Sequence, residues 1–132
     1  MPTLLTAAPS VDLLVRTIAL QGTLDRGSAG SHRAAVIDAL AEGPVVVDLH
    51  GVSVCGIAGL RALMACHRAA LQTRSPLVFA APSLEVRAAL AGSGIGRHLP
   101  LCRSVSQAVE AVRQLAAVWA AVEGRDAVTP AA

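Results

Sequence analysis

Aromatic side chains are nearly missing from this sequence: Phe79 and Trp119 are the whole set in 132 residues. The core must therefore be filled by Ala, Val, Leu and Ile, and a small-residue core suits helices packed closely on a sheet. The same scarcity removes the stacking platforms on which single-stranded nucleic acids are held. Strong charge of one sign is missing too. Net charge is only +2, and the basic residues are scattered instead of striped, so no nucleic-acid interface is expected. Cysteine is scarce, with Cys55, Cys66 and Cys102 an odd set lacking any C-x-x-C spacing. That argues against a disulfide framework and a cysteine zinc site, and fits a reducing cytoplasm.

No apolar run approaches the roughly 18 residues of a membrane span, and Met1 to Ser10 lacks the regions of a secretory signal. A cytoplasmic protein with no membrane insertion is expected. What the chain has in plenty is apolar residue: 54% against 15% charged, which excludes a disordered polymer. This length predicts one domain with one real core. Residues 1–10 read as an N-terminal segment whose Leu4-Leu5 can form an edge strand, 11–122 as the domain, and 123–132 as a flexible tail.

Val11 to Leu20 reads as a strand ended by Gln21-Gly22, and Gly22 to Gly30 as turn chemistry leading into a helix capped by Ser28. Ala29, His32, Val36 and Leu40 then recur at the helical period until Gly43-Pro44. Val45 to Leu49 has the β-branched run of a buried parallel strand. After a loop, Leu60, Leu63, Met64, His67 and Leu71 mark a second helix, and Pro76 to Ala81 the next strand. Ser83 caps a third helix that buries Val86 and Leu90 and closes at Gly92 and Gly94. Leu99 to Cys102 is a short strand, and Ser104 to Gln107 a capping box for a last helix carrying Val105, Ala108, Val109, Val112, Ala116 and Trp119. Strands alternating with helices predict an α/β fold: a mostly parallel sheet of four or five strands with about four helices and right-handed crossovers.

The stretch VVVDLHGVSVCGIAGLRALM, residues 45–64, carries the functional information. A buried strand runs into a glycine-bearing loop, and a helix begins near Gly56 or Ile57. The first amides of that helix lack intrahelical acceptors and carry its positive dipole end, and Gly56 and Gly59 keep the backbone approachable. Such a start invites an anion, phosphate or carboxylate.

These residues resemble the STAS family (sulfate transporter and anti-sigma-factor antagonist). Asp48-Leu49, Gly51-Val52-Ser53 and Gly59-Leu60 stand in register with the family's pattern of strand, Asp-Leu, "gvs", two apolar residues and Asp-Ser-Ser-Gly-Leu. Upstream, Gly22 to Asp25 is similar to its Gly-x-Leu-Asp turn. Downstream, Pro82-Ser83, Val86 to Leu90 and Gly94-Ile95 are similar to its third helix and exit. The likeness runs over about residues 11–115. It implies a regulatory protein-binding module with no catalysis, no cofactor and no metal. The departure is at Gly56-Ile57-Ala58, where the family has Asp-Ser-Ser. Position 58 matches the family's phospho-acceptor serine, and alanine has no oxygen to phosphorylate. The resemblance then implies a surface held in the unphosphorylated state, or a different partner.

Several residues have a plain reading beside the functional one. Asp25 is either a partner or magnesium contact or a turn-stabilising aspartate. Ser53 is more readily a strand-end serine than a displaced acceptor, and Thr23 and Ser28 are turn and cap residues. Cys55 stands where a helix start can activate a thiolate, yet no oriented base accompanies it, so a buried structural thiol is the better reading. Cys66 and His67 point about 100° apart on a helix and cannot chelate together. His32 and His67 fall on apolar stripes, and His50 and His98 have no recognisable partners. Trp119 either packs back on the sheet edge or anchors a homodimer through the C-terminal helix.

The first expectation is a module that binds an anti-sigma factor or kinase-like ATPase domain. Its surface would comprise Asp25, Ser53, Cys55, Gly56, Ile57, Ala58 and Gly59, with Arg61 and Arg68 adding polar contacts. The alternative keeps the fold and makes it an accessory or scaffold subunit of an ABC lipid transporter or stressosome-like assembly. An enzyme is disfavoured by the lack of paired carboxylates, of a nucleophile with its base, and of a lysine-bearing phosphate loop.

Overall fold

Val45, Val46 and Val47 are all wholly buried, which a strand achieves only with packed material on both faces. The computed structural model describes residues 15–122; the predicted Leu4-Leu5 edge strand, the start of the first strand and the 123–132 tail lie outside them. Strands β1 (Arg16–Ala19), β3 (Val45–Asp48), β5 (Leu77–Ala80) and β6 (Leu101–Cys102) form one sheet, ordered β1-β3-β5-β6 with every pairing parallel. Among the described residues four α-helices join or cover them: α1 (Ala29–Leu40), α2 (Ile57–Thr73), α3 (Leu84–Ser93) and α4 (Val105–Val122).

Side-chain alternation divides the core in two. Val45, Val47, Leu77 and Phe79 pack with Val36 and Leu40 of α1, Leu60, Leu63 and Cys66 of α2, and Val86 and Leu90 of α3. Val46, Val78 and Ala80 face the other way, onto Ala108 and Val112 of α4. Three layers result, with α1, α2 and α3 on one face and α4 on the other.

Two segments read as turn and loop are short strands. Gly22–Leu24 (β2) and Val52–Cys55 (β4) pair in parallel with each other, with an irregularity between Gly22 and Thr23. They prolong β1 and β3 past the main sheet, as Leu20 N–H donates to Asp48 O and Gly22 N–H to Gly51 O, each at 3.0 Å.

The helix ends follow the sequence at Ser83, Gly94 and Ser104, whereas Gly92 lies inside α3 and does not close it. The Ser83 hydroxyl accepts from Val86 N–H at 3.2 Å, and Gly94 ends α3 with φ 78°. Ser104 accepts from Gln107 N–H at 3.1 Å, while the Gln107 side chain accepts from Arg103 N–H at 3.3 Å. That completes the capping box one residue early. Ser28, however, occupies the N-cap of α1 without a side-chain cap. Leu71, placed on the buried stripe by periodicity, is 52% exposed near the end of α2. Trp119 is half-buried on α4, where it borders Leu71, Arg74 and Val122. Among the described residues no helix is long and apolar enough to cross a membrane.

Candidate functional site

The site is built where β2 and β4 deliver the chain to the starts of α1 and α2. Gly56 is extended at φ −97°, ψ −174°, and forms the N-cap of α2 with no side-chain cap. Its N–H donates to Leu24 O at 3.1 Å, and its carbonyl accepts from Leu60 N–H at 3.0 Å. Closing the first turn that way leaves the amides of Ile57, Ala58 and Gly59 at the open helix end. Neither α1 nor α2 has an acidic residue in its first turn; the Asp25 carboxylate accepts from Ser28 N–H at the start of α1, whereas the positive end of α2 has no such acid of its own.

Gly59 has a different duty from the one anticipated. It is buried, and a Cβ there would collide with the carbonyl and side chain of Leu24. It lets α2 press on β2 and so sets the height of the junction. A Cβ at Gly56 meets nothing within 4 Å. Gly56 is thus the glycine that borders open space.

Around this frame Ile57 is 69% exposed and Val54 on β4 is 48% exposed, while Ala58 is half-buried. Ser53 is exposed on β4, and Cys55 is half-buried beside the junction. Burial pushes the Cys55 thiol above its ordinary pKa of 9.0, the opposite direction from activation by a helix start. Burial pushes Cys66 up to about 11, partly offset by the nearby Arg33 charge, and pulls the His67 imidazole below its usual value.

Asp25 is occupied by its own turn. Its carboxylate oxygen Oδ1 accepts from Gly27 N–H at 3.0 Å and from Ser28 N–H at 3.3 Å. The Ser28 hydroxyl accepts from Asp25 N–H at 3.1 Å and lies 2.5 Å from Thr23 O and 3.2 Å from Asp25 Oδ1. Among the described residues no cluster of three His, Cys, Asp or Glu side chains gathers here or elsewhere.

The packing of α1 against α2 opens a groove of about 690 Å³ between their N-terminal halves. Gly56, Ile57, Ala58 and Arg61 line one side, and Arg26, Ala29, Gly30 and Arg33 the other. The sequence reading had Arg61 but missed Arg26 and Arg33, which lie about thirty residues away and become neighbours only when the helices pack. Arg68 is exposed two turns beyond Arg61 and lies outside the groove.

Comparison with known proteins bears on the family and the fold. A family model described as "Mlab, STAS domain" matches residues 12–103. Among solved structures, a putative anti-sigma factor antagonist from Thermotoga maritima shares 19% identity at TM-score 0.64, covering 74% of this chain and 87% of its own. Unphosphorylated SpoIIAA, an anti-sigma factor antagonist, shares 22% identity at TM-score 0.60 with the same coverage. A sulfate transporter family protein from Wolinella succinogenes shares 19% at TM-score 0.66, covering 78% and 88%. No curated protein sequence gives a match. The structural likenesses establish the fold, and the family model spans most of the sequence. The chain belongs to the STAS domain family.

Proposed function

We propose that this protein is a non-catalytic regulatory module that docks a protein partner on the β4–α2 junction, without a phosphoryl switch at position 58. The observation that carries this is the exposure of Ile57 and Val54 around half-buried Ala58. Large apolar side chains held out at a rigid helix start are suited to a partner's surface. In related anti-sigma-factor antagonists a serine stands at this place, and phosphorylation there would add about −1.5 to −2 charges. With Ala58 at this place that negative charge is never added. The partner class suggested by the family is an anti-sigma factor or other kinase-like ATPase domain.

A second reading makes the chain an accessory or scaffold subunit of an ABC-type lipid transporter or a stressosome-like assembly. The lack of a hydroxyl at the α2 start favours it, because such a role needs no phosphoryl relay.

Affinity capture from the native cell, with identification of the bound proteins, tests both. Capture of an ATPase-domain protein by the natural chain, lost on Ile57→Ser and on Ala58→Glu, is the expected result. Undiminished capture by both variants removes the junction as the docking surface. A sigma regulator among the captured proteins favours the first reading, and a transporter ATPase the second.

A further inference from the structure

Three guanidinium groups, those of Arg26, Arg33 and Arg61, line the groove between α1 and α2, and among the described residues no acidic side chain lines it with them. None of the three is paired with a carboxylate among the described residues. The nearest acid in sequence, Asp25, spends its Oδ1 on Gly27 and Ser28. Arg33 acts on the Cys66 thiol of α2, so its charge is felt across the seam between the helices. The walls are small: Ala29, Gly30, Gly56, Ala58 and Ala62. A methyl group built on Gly30 or Gly56 would meet no atom within 4 Å, so both border free space. The start of α2, which has no side-chain cap and no acidic residue in its first turn, adds partial positive charge at the same end.

We propose that this groove receives an acidic segment of the protein partner, two or more Asp or Glu side chains presented to Arg26, Arg33 and Arg61 while Ile57 makes the apolar contact beside them. This rests on the docking reading above and adds the chemistry of the occupant. Guanidinium forks pair with carboxylates in a bidentate manner, and unpaired cations in an open groove speed encounter with an acidic surface in a salt-dependent way. The room available exceeds what a single small anion would fill, which favours a segment over an isolated ion.

A hexaglutamate peptide is the probe, titrated into the isotopically labelled full chain by NMR. The amides of Gly30 and of residues 56–62 are expected to shift, and the response to fade as salt is raised towards about 1 M, where the Debye length shrinks to about 3 Å. Arg26→Glu/Arg61→Glu should weaken peptide binding by more than about tenfold. Arg87→Glu/Arg103→Glu makes the same change of net charge on residues that line a different depression, at Pro82 and Cys102, and should leave binding unchanged. Equal losses in the two double variants, or no shift at all, overturn the proposal. So does inorganic phosphate shifting the same amides at lower concentration than the peptide, or self-association of the chain that the reversal abolishes. Ile57→Ser tests the docking reading on its own, through loss of partner capture. Capture lost with Ile57→Ser but kept by Arg26→Glu/Arg61→Glu leaves docking standing and refutes the acidic occupant.

Discussion

The carbonyl oxygen of Leu24 lies against the α-carbon of Gly59, inside the space any side chain there would need. This contact joins β2 to the first turn of α2 and fixes where Ile57 and Ala58 emerge. Gly59→Ala should therefore destabilise the fold by about 1–3 kcal/mol, the usual cost of forcing an extra carbon into a packed site. Gly30→Ala has free space and a helical backbone, so it should stabilise by about 0.5–1 kcal/mol. Denaturant midpoints of the two variants check the pair, and a neutral Gly59→Ala would remove the packing role assigned to it.

Asp25 and Ser28 hold the turn that feeds α1. Asp25→Ala, which strips the acceptor from two backbone amides, should cost about 1–2 kcal/mol. Asp25→Asn keeps an acceptor oxygen and should recover most of that loss. If both variants unfold at the same midpoint as the natural chain, the turn does not depend on this side chain.

The buried thiol of Cys66 makes stability depend on alkaline pH. Its folded value is about 11 against an ordinary 9.0. Below pH 9 both states hold the proton and stability is undiminished. As pH rises from 9 towards 11 the unfolded chain gives up its proton while the folded chain keeps it, so stability falls. A displacement of this size corresponds to roughly 2–3 kcal/mol. Cys55 shifts in the same direction. Unfolding free energies of the natural chain and of Cys66→Ala across that interval should differ in slope, with the flatter curve in the variant. Parallel curves would show that the thiol is not the group responsible.

Much of the fold was readable because its central strands and helices are long or apolar enough to declare a period. Val45 to Val47 and LVFA are continuous apolar runs buried on both faces, and the buried residues of α1 and α3 keep helical spacing. β2 and β4 escaped because they are three and four residues long, include glycine or serine, and exist only by pairing with each other. The start of α2 was legible from its glycines and its family resemblance. The arginine groove was not, because Arg26 and Arg33 meet Arg61 through the packing of two helices, which no local pattern encodes. Gly59 was read as an approach for ligand, and only the position of Leu24 reveals it as an approach for backbone.

The docking claim is tested most directly by hydrogen–deuterium exchange of the chain, free and bound to the partner recovered by affinity capture. Amides from Val54 to Arg61 should become protected on binding, with the outer face of α4 unchanged. Protection confined to α4 or to the β6 edge, with the β4–α2 junction exchanging as in the free chain, would contradict it.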